Sequence, residues 1–310
     1  MSLKLASGSY DNTVRFWDPS TSNHNPNETI KLDSAPISMQ ITDKKDKIVV
    51  GMYNAVKIID LTKPNTPIRS LDNAFKGNVN AVGCFGNDDK IIYTACDDGG
   101  LRIFDLKVKN VIKEHRNSRP INCAALHPNK GSIVFGDEGG AVTKWDLYKD
   151  NEHKTTLESE HSIRTITMSD TLERMAYGDN EGFINLFSEH MTKKNPKPIK
   201  VHDDYILKMK ISPNNKYLAT CSADKKIKVF KINMENDNFT ISEHKTLKGH
   251  LKWVWDCQFS CDEAYLISCS TDQSIKLWDV ERGELVQTLK GHEKGVICLA
   301  LNDIADWFIK

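Results

Sequence analysis

No run in the 310-residue chain approaches the ~18 consecutive apolar residues that a membrane-crossing helix needs, and the stretch Met1 to Gly8 has no apolar h-region. Neither membrane insertion nor secretion is expected, the chain reads as cytoplasmic, and the sequons at Asn27 and Asn238 carry no weight. An excess of charge of one sign is also missing. Lys and Arg number 42, as do Asp and Glu, which leaves no broad positive field to draw nucleic acid or anionic lipid. The eight cysteines, at 84, 96, 123, 221, 257, 261, 269 and 298, lack paired ligand spacing; scattered through apolar runs, they read as small buried residues of a reducing compartment, with no metal and no disulfide. A Gly-rich phosphate loop, a His-Glu-x-x-His pair and a Gly-x-Ser-x-Gly elbow are all absent, so neither catalysis nor a cofactor is expected. There is no sustained 3.6-residue period either, which argues against helices.

What the chain does contain is one pattern, repeated. An apolar strand, a turn of small and acidic residues and a second strand ending in a large apolar residue occur from Leu5 to Asp18, Ile48 to Leu61, Ile91 to Leu106, Ser132 to Leu147, Arg174 to Ser188, Tyr217 to Ile232 and Tyr265 to Val280. Aligned on Trp17, Ile59, Phe104, Trp145, Phe187, Phe230 and Trp278, they recur every 41 to 48 positions, the length of a propeller blade. Within each segment apolar and polar residues alternate across a turn rich in Asp, Gly, Ser and Asn, the signature of an antiparallel hairpin. Further strands precede the hairpins, as at Trp253 to Ser260 and Leu207 to Asn214, so each blade reads as four strands. The chain opens in mid-blade at Leu5 and ends on Gly291 to Asn302, a first strand without its hairpin. Joining the two closes the ring and removes open sheet edges. The expected fold is an all-β, seven-bladed β-propeller spanning residues 1–310 as one domain.

These segments resemble WD repeats over nearly the whole chain. That resemblance implies a hydrogen-bonded tetrad of His, Ser or Thr, Asp and Trp in a blade. Two blades carry the full set, His250, Ser268, Asp272, Trp278 and His292, Ser7, Asp11, Trp17; a third, His202, Thr220, Asp224 and Phe230, lacks the indole. A Ser, His and Asp trio invites a hydrolase reading, but a catalytic trio occurs once and this one recurs at the blade period, as packing demands. The same resemblance implies which residues rim one face of the ring: Trp253, Trp255 and Thr271, then Gly295, Ile297 and Tyr10, and in the preceding blade Tyr205, Leu207 and Ala223. Opposite them the equivalent positions are Asn78, Asn80, Pro120, Asn122, Ser162 and Arg164. An apolar arc of Trp253, Trp255, Tyr205, Leu207, Ile297 and Tyr10 on three adjacent blades is the expected partner-binding surface, because large exposed apolar patches mark interaction sites and Trp and Tyr dominate hot spots. The bland alternative is that Trp253 and Trp255 fold inward and plug the channel.

Several runs are similar to one family in particular, the lethal-with-Sec-thirteen or G-protein-beta-subunit-like WD-repeat subunits of TOR kinase complexes. They are Tyr10 to Trp17, Pro120 to Cys123 with Leu126 to Asn129, Leu218 to Asp224, Trp253-Val254-Trp255, and Gly291-His292 with Val296 to Asp303. The resemblance implies a non-enzymatic scaffold, a monomeric propeller within a larger complex, that grips an insertion of a TOR-type kinase domain and stabilises it. The expected location is the cytoplasm, with recruitment to endomembranes through the complex. The chain departs from the family at Pro36, Ser38 and the turn Met52-Tyr53-Asn54, which puts contacts from the second blade in doubt. The rival readings are an adaptor of another assembly, such as a ubiquitin-ligase substrate receptor or a G-protein-beta-type scaffold, a propeller enzyme, and a phosphopeptide reader, for which only Arg164 and Arg119 supply cations. The basic loop Lys193, Lys194, Lys197 and Lys200 reads as solvated surface, without nucleic-acid binding.

Overall fold

Asp and Ser side chains of the repeat turns fold back on their own backbone. Asp11 takes the amide of Thr13, Asp224 that of Lys226 and Asp272 that of Ser274, while Ser9, Ser222 and Ser270 each take the amide of the Asp two residues on. One residue per turn then adopts the left-handed region, which reverses the chain tightly enough for a hairpin. At Gly140 and Gly182 space as well as dihedral requires glycine, since a Cβ would lie 2.3 Å from the carbonyls of Ser159 and His202.

The computed structural model describes residues 5–19, 26–61, 67–72, 74–86, 90–106, 110–149, 154–169, 174–188, 197–235 and 238–302. Among these, the strands form seven four-stranded antiparallel sheets. Blade I holds β1 (Leu5–Ser9), β2 (Thr13–Trp17) and β3 (Glu28–Lys31). Blade II holds β4 (Pro36–Ile41), β5 (Lys47–Met52), β6 (Ala55–Asp60) and β7 (Pro67–Asp72). Blade III holds β8 (Val79–Phe85), β9 (Ile91–Cys96), β10 (Gly100–Asp105) and β11 (Val111–Arg116). Blade IV holds β12 (Ile121–Leu126), β13 (Ser132–Asp137), β14 (Ala141–Asp146) and β15 (Lys154–Glu158). Blade V holds β16 (Ile163–Met168), β17 (Arg174–Asp179), β18 (Phe183–Ser188) and β19 (Ile199–Lys200). Blade VI holds β20 (Ile206–Ile211), β21 (Tyr217–Ser222), β22 (Lys226–Glu235) and β23 (Asn238–Lys248). Blade VII holds β24 (Val254–Phe259), β25 (Tyr265–Ser270), β26 (Ser274–Asp279) and β27 (Glu284–Lys290). The last strand, β28 (Val296–Leu301), returns to blade I and pairs with β1, Leu5 opposite Leu301 and Ala6 opposite Ala300, so the ring closes as the two incomplete ends of the chain predict.

The core is divided into seven apolar clusters, each filling the seam between two neighbouring blades. At the closing seam Leu5, Trp17, Val296 and Leu299 of blade I pack on Ile267, Cys269, Ile275 and Leu277 of blade VII. Inner strands are also stitched to the next blade by side chains. Thr165 takes the amide of Met209, Asp256 that of Leu299, and Ser38 donates to the carbonyl of Val79. Seven cysteines are buried and Cys261 is half-buried.

One feature exceeds the repeat pattern. Strands β22 and β23 run to 10 and 11 residues, and Phe239 and Ile241 of β23 pack on the seam between blades V and VI, where β19 has only two residues. Lys193 and Lys194 of the basic loop lie outside the described residues.

Candidate functional site

The tetrads hold the repeat turns in place. In blade VII, Trp278 Nε1 donates to Ser268 Oγ at 2.8 Å, Ser268 Oγ lies 2.9 Å from His250 Nε2, and His250 Nδ1 lies 2.9 Å from Asp272 Oδ2. In blade I the same chain runs Trp17 to Ser7 at 2.7 Å, Ser7 to His292 at 2.8 Å and His292 to Asp11 at 2.9 Å. Blade VI keeps His202 between Thr220 and Asp224, at 2.8 and 2.9 Å, with Phe230 in place of the indole. Burial alone would raise Asp11, but hydrogen bonds from Thr13 and His292 and the His292 charge hold it down at about 2, and Asp224 is likewise held at about 2 by His202 despite its burial. An ionised carboxylate only accepts, so the proton sits on Nδ1 and Nε2 receives the hydroxyl hydrogen. Ser7, Ser268 and Thr220 are fully buried. No substrate reaches a hydroxyl so placed, and the chain of bonds does structural work.

Blade III substitutes an ion pair for the tetrad: Arg102 grips Asp98 through two bonds of 3.0 and 2.8 Å. Blade II has no turn Asp. Its Asn54 leans instead on blade III, donating its amide to the Gly77 carbonyl at 2.9 Å and accepting the Gly77 amide at 2.6 Å.

Every inner strand carries a β-bulge at its second residue. The register slips at Ile37, Asn80, Asn122, Arg164, Leu207, Trp255 and Ile297, each left unpaired between two paired neighbours. A bulge re-aims its side chain, and all seven line a central channel of about 1260 Å³. The collar is two-sided: Leu207, Trp255, Ile297 and Ile37 on blades VI, VII, I and II are apolar, while Asn80, Asn122 and Arg164 on blades III to V are polar. The two asparagines are satisfied within the ring, Asn80 by Asp97 and the Ile121 carbonyl, Asn122 by Ser162 and the Ile163 carbonyl.

Outside the collar, on the face that carries the turns, Trp253 and Tyr10 are each 42% exposed and Tyr205 is 36% exposed. The rings form an unbroken row across three blades. Tyr205 lies 6.4 Å from Trp253, Trp253 5.8 Å from Trp255, and Trp255 6.4 Å from Tyr10 in an edge-to-face arrangement. Backbone bonds set the spacing, because the residue before each turn Asp donates its amide to the residue before the inner strand: Tyr10 to Gly295, Ala223 to Tyr205, Thr271 to Trp253. Trp255 is pinned by its indole N–H, which donates to Thr271 Oγ1 at 2.7 Å.

Three expectations change. Ile297 is only 6% exposed, so it is no part of an exposed arc; its bulge turns it into the channel wall. The two tryptophans split: half-buried Trp255 lines the channel and Trp253 does not. Arg164, expected opposite the arc, stacks on Tyr205 with its guanidinium carbon 5.6 Å from the ring centre and so extends the row. Alternation of apolar and polar residues carries no mark of a bulge, so nothing in the sequence distinguishes collar from rim.

The WD domain, G-beta repeat family matches residues 2–18, 65–105, 194–231 and 241–279. The target of rapamycin complex subunit LST8 of Mus musculus is 35% identical over 96% of this chain and 94% of its own length. The chain belongs to the LST8 family. Its Saccharomyces cerevisiae member is 33% identical over 98% of this chain and its own full length (100%), and target of rapamycin complex subunit wat1 of Schizosaccharomyces pombe is 34% identical over 97% and 96%. LST8 proteins are non-catalytic WD-repeat subunits, in keeping with tetrads that are buried and repeated. The β-propeller domain of Cps50 (Swd1) from Myceliophteria thermophila superposes with a TM-score of 0.76 over 86% of this chain and 90% of its own, at 17% identity, a likeness of fold alone.

Proposed function

We propose that this chain is the scaffold subunit of a TOR complex and that it grips the kinase domain of a TOR-type kinase through the row Tyr205, Trp253, Trp255 and Tyr10, with Leu207 at its inner edge. The observation that carries the reading is the row itself: four aromatic rings in successive contact, three of them exposed, on one face of a rigid ring. Large apolar rings held in water by a preformed scaffold bind at low entropic cost and concentrate binding energy. The names of the LST8 relatives supply the partner. No helix among the described residues is long and apolar enough to cross a membrane; the proposed place of work is the cytoplasm, with endomembranes reached through the complex.

The test is co-expression with the catalytic region of the TOR kinase of the same organism, followed by quantitative capture. Trp253→Ala should weaken capture by about 2 kcal/mol, roughly 30-fold, with an unchanged melting temperature. Unaltered capture by a well-folded Trp253→Ala, Tyr205→Ala double variant would remove the row from the interface.

A further inference from the structure

Arg164 stands apart from every other polar member of the collar. Its place at the blade V bulge turns it to the channel mouth, and its guanidinium lies over Tyr205, the first ring of the row. Stacking occupies a face of the guanidinium and leaves the terminal Nη donors in its plane free to bond. Among the described residues Arg164 has no hydrogen-bond or ion-pair partner, and its Nε is buried with none. Asn80 and Asn122, at the same position in blades III and IV, have every reason to be there without a ligand, because each bridges to the next blade. Arg164 reaches the next blade only through the face of Tyr205 and makes no such hydrogen bond.

A second cation lines the same channel. Lys208, next to the bulge of blade VI, is kept charged chiefly by Asp256 across the seam, although burial opposes it. Asp256 itself is committed to the amides of Cys257 and Leu299. Cys123, whose thiol burial pushes up to about 12, lines the same channel as Arg164 and Lys208. Of the nearby acids, Asp203 is paired with Lys226, Asp204 accepts the Tyr205 amide, and Glu138 lines the mouth without an ion pair to Arg164. The apolar row thus ends in an open, half-buried guanidinium fork, whose desolvation is uncompensated until an anion arrives.

We propose that Arg164 is the acid-reading end of the row: the polypeptide that covers the rings presents an Asp or Glu side chain there, and the Arg164 fork takes its carboxylate. A carboxylate matches a single planar fork bidentately. The inference rests on the proposed kinase interface and adds to it a requirement for one acidic residue in the covering segment.

The same kinase capture separates the two ideas. Arg164→Ala should weaken capture about tenfold and flatten its salt dependence, Arg164→Lys should recover only part, and the melting temperature should not move. Arg164→Glu should weaken it further and be rescued by one Asp or Glu to Lys change within the kinase segment that the propeller shields from hydrogen exchange. Capture that falls with Trp253→Ala but is indifferent to Arg164→Ala and Arg164→Glu would overturn the acid-reading role and leave the interface standing. Capture indifferent to Trp253→Ala as well would remove both. Failure of every single charge swap to rescue Arg164→Glu, or loss of capture on phosphatase treatment of the kinase, would also overturn the carboxylate assignment.

Discussion

At the scale of single residues, the tetrad carboxylates make blade stability depend on acid. Asp11 and Asp224 are held at about 2 against an ordinary 3.8, and Asp272 is lowered further, burial being outweighed by bonds from His250 and Ser274. A carboxylate lowered by folding contributes fully above the unfolded value and loses that contribution as pH falls through the folded one. The window is therefore pH 4 to 2, and Asp11, whose side chain is nearly enclosed, is worth about 2 kcal/mol at neutral pH. His292, pushed down from 6.5 by burial against the pull of Asp11, acts in the same direction at higher pH, since the unfolded ring takes a proton that the folded ring resists. Urea midpoints should fall mildly below pH 6.5 and steeply below pH 4, and Asp11→Asn should be less stable at pH 7 yet show a shallower acid limb. Asp272→Ala strands the His250 ring and should cost roughly 1 to 3 kcal/mol in the same measurement; a midpoint equal to the parent's would contradict the structural role.

At the scale of elements, the bulged inner strand decides which side chains are available to a partner. Trp255 belongs partly to the seam of blades VII and I, where it packs against the cluster of Leu5, Trp17 and Ile267, whereas Trp253 touches other rim rings and water. Alanine at Trp255 should lower both the melting temperature and kinase capture, and alanine at Trp253 only capture. Thr271→Val keeps the shape but removes the acceptor of the Trp255 indole, so it should cost about 1 kcal/mol of stability and loosen the ring on which Tyr10 and Trp253 rest. Thermal melts beside capture assays separate these outcomes; a Thr271→Val variant indistinguishable from the parent in both would show that the hydrogen bond positions nothing. Pro36 and Ser38, where polar partner-facing residues are expected from the family, are used within the ring, Pro36 accepting from the Cys298 thiol and Ser38 donating to Val79.

At the scale of the whole molecule, seven seams form a circle with no terminal blade, so one strand controls closure. Removing β28 would bare Leu5, Trp17 and the blade VII face, all nearly inaccessible in the ring, and leave β1 as an open edge. A chain truncated before Gly291 should aggregate and lose its cooperative melt. Moving Gly291 to Asn302 ahead of Leu5 should restore both, because Leu301 and Leu5 are paired and a short turn spans them. Size-exclusion chromatography and calorimetry read the two variants; a monomeric, cooperative truncation would show that the closing strand is dispensable.

Local order was legible from residues alone. The spacing of Trp17, Phe104, Trp145 and Trp278 set the blade count, Asp and Ser in the turns set the hairpins, and the stray strand after Gly291 set the closure, because each is a property of a short segment repeated in line. The ring decided the rest. Ile297 and Trp253 were read from the repeat as members of one rim arc on neighbouring blades, yet one is sealed in the channel and the other lies in water, and Arg164 came to rest on Tyr205 of the next blade. Exposure depends on where a bulge aims a side chain and on what the neighbouring sheet places beside it, and both are fixed only when seven twisted sheets close on one another.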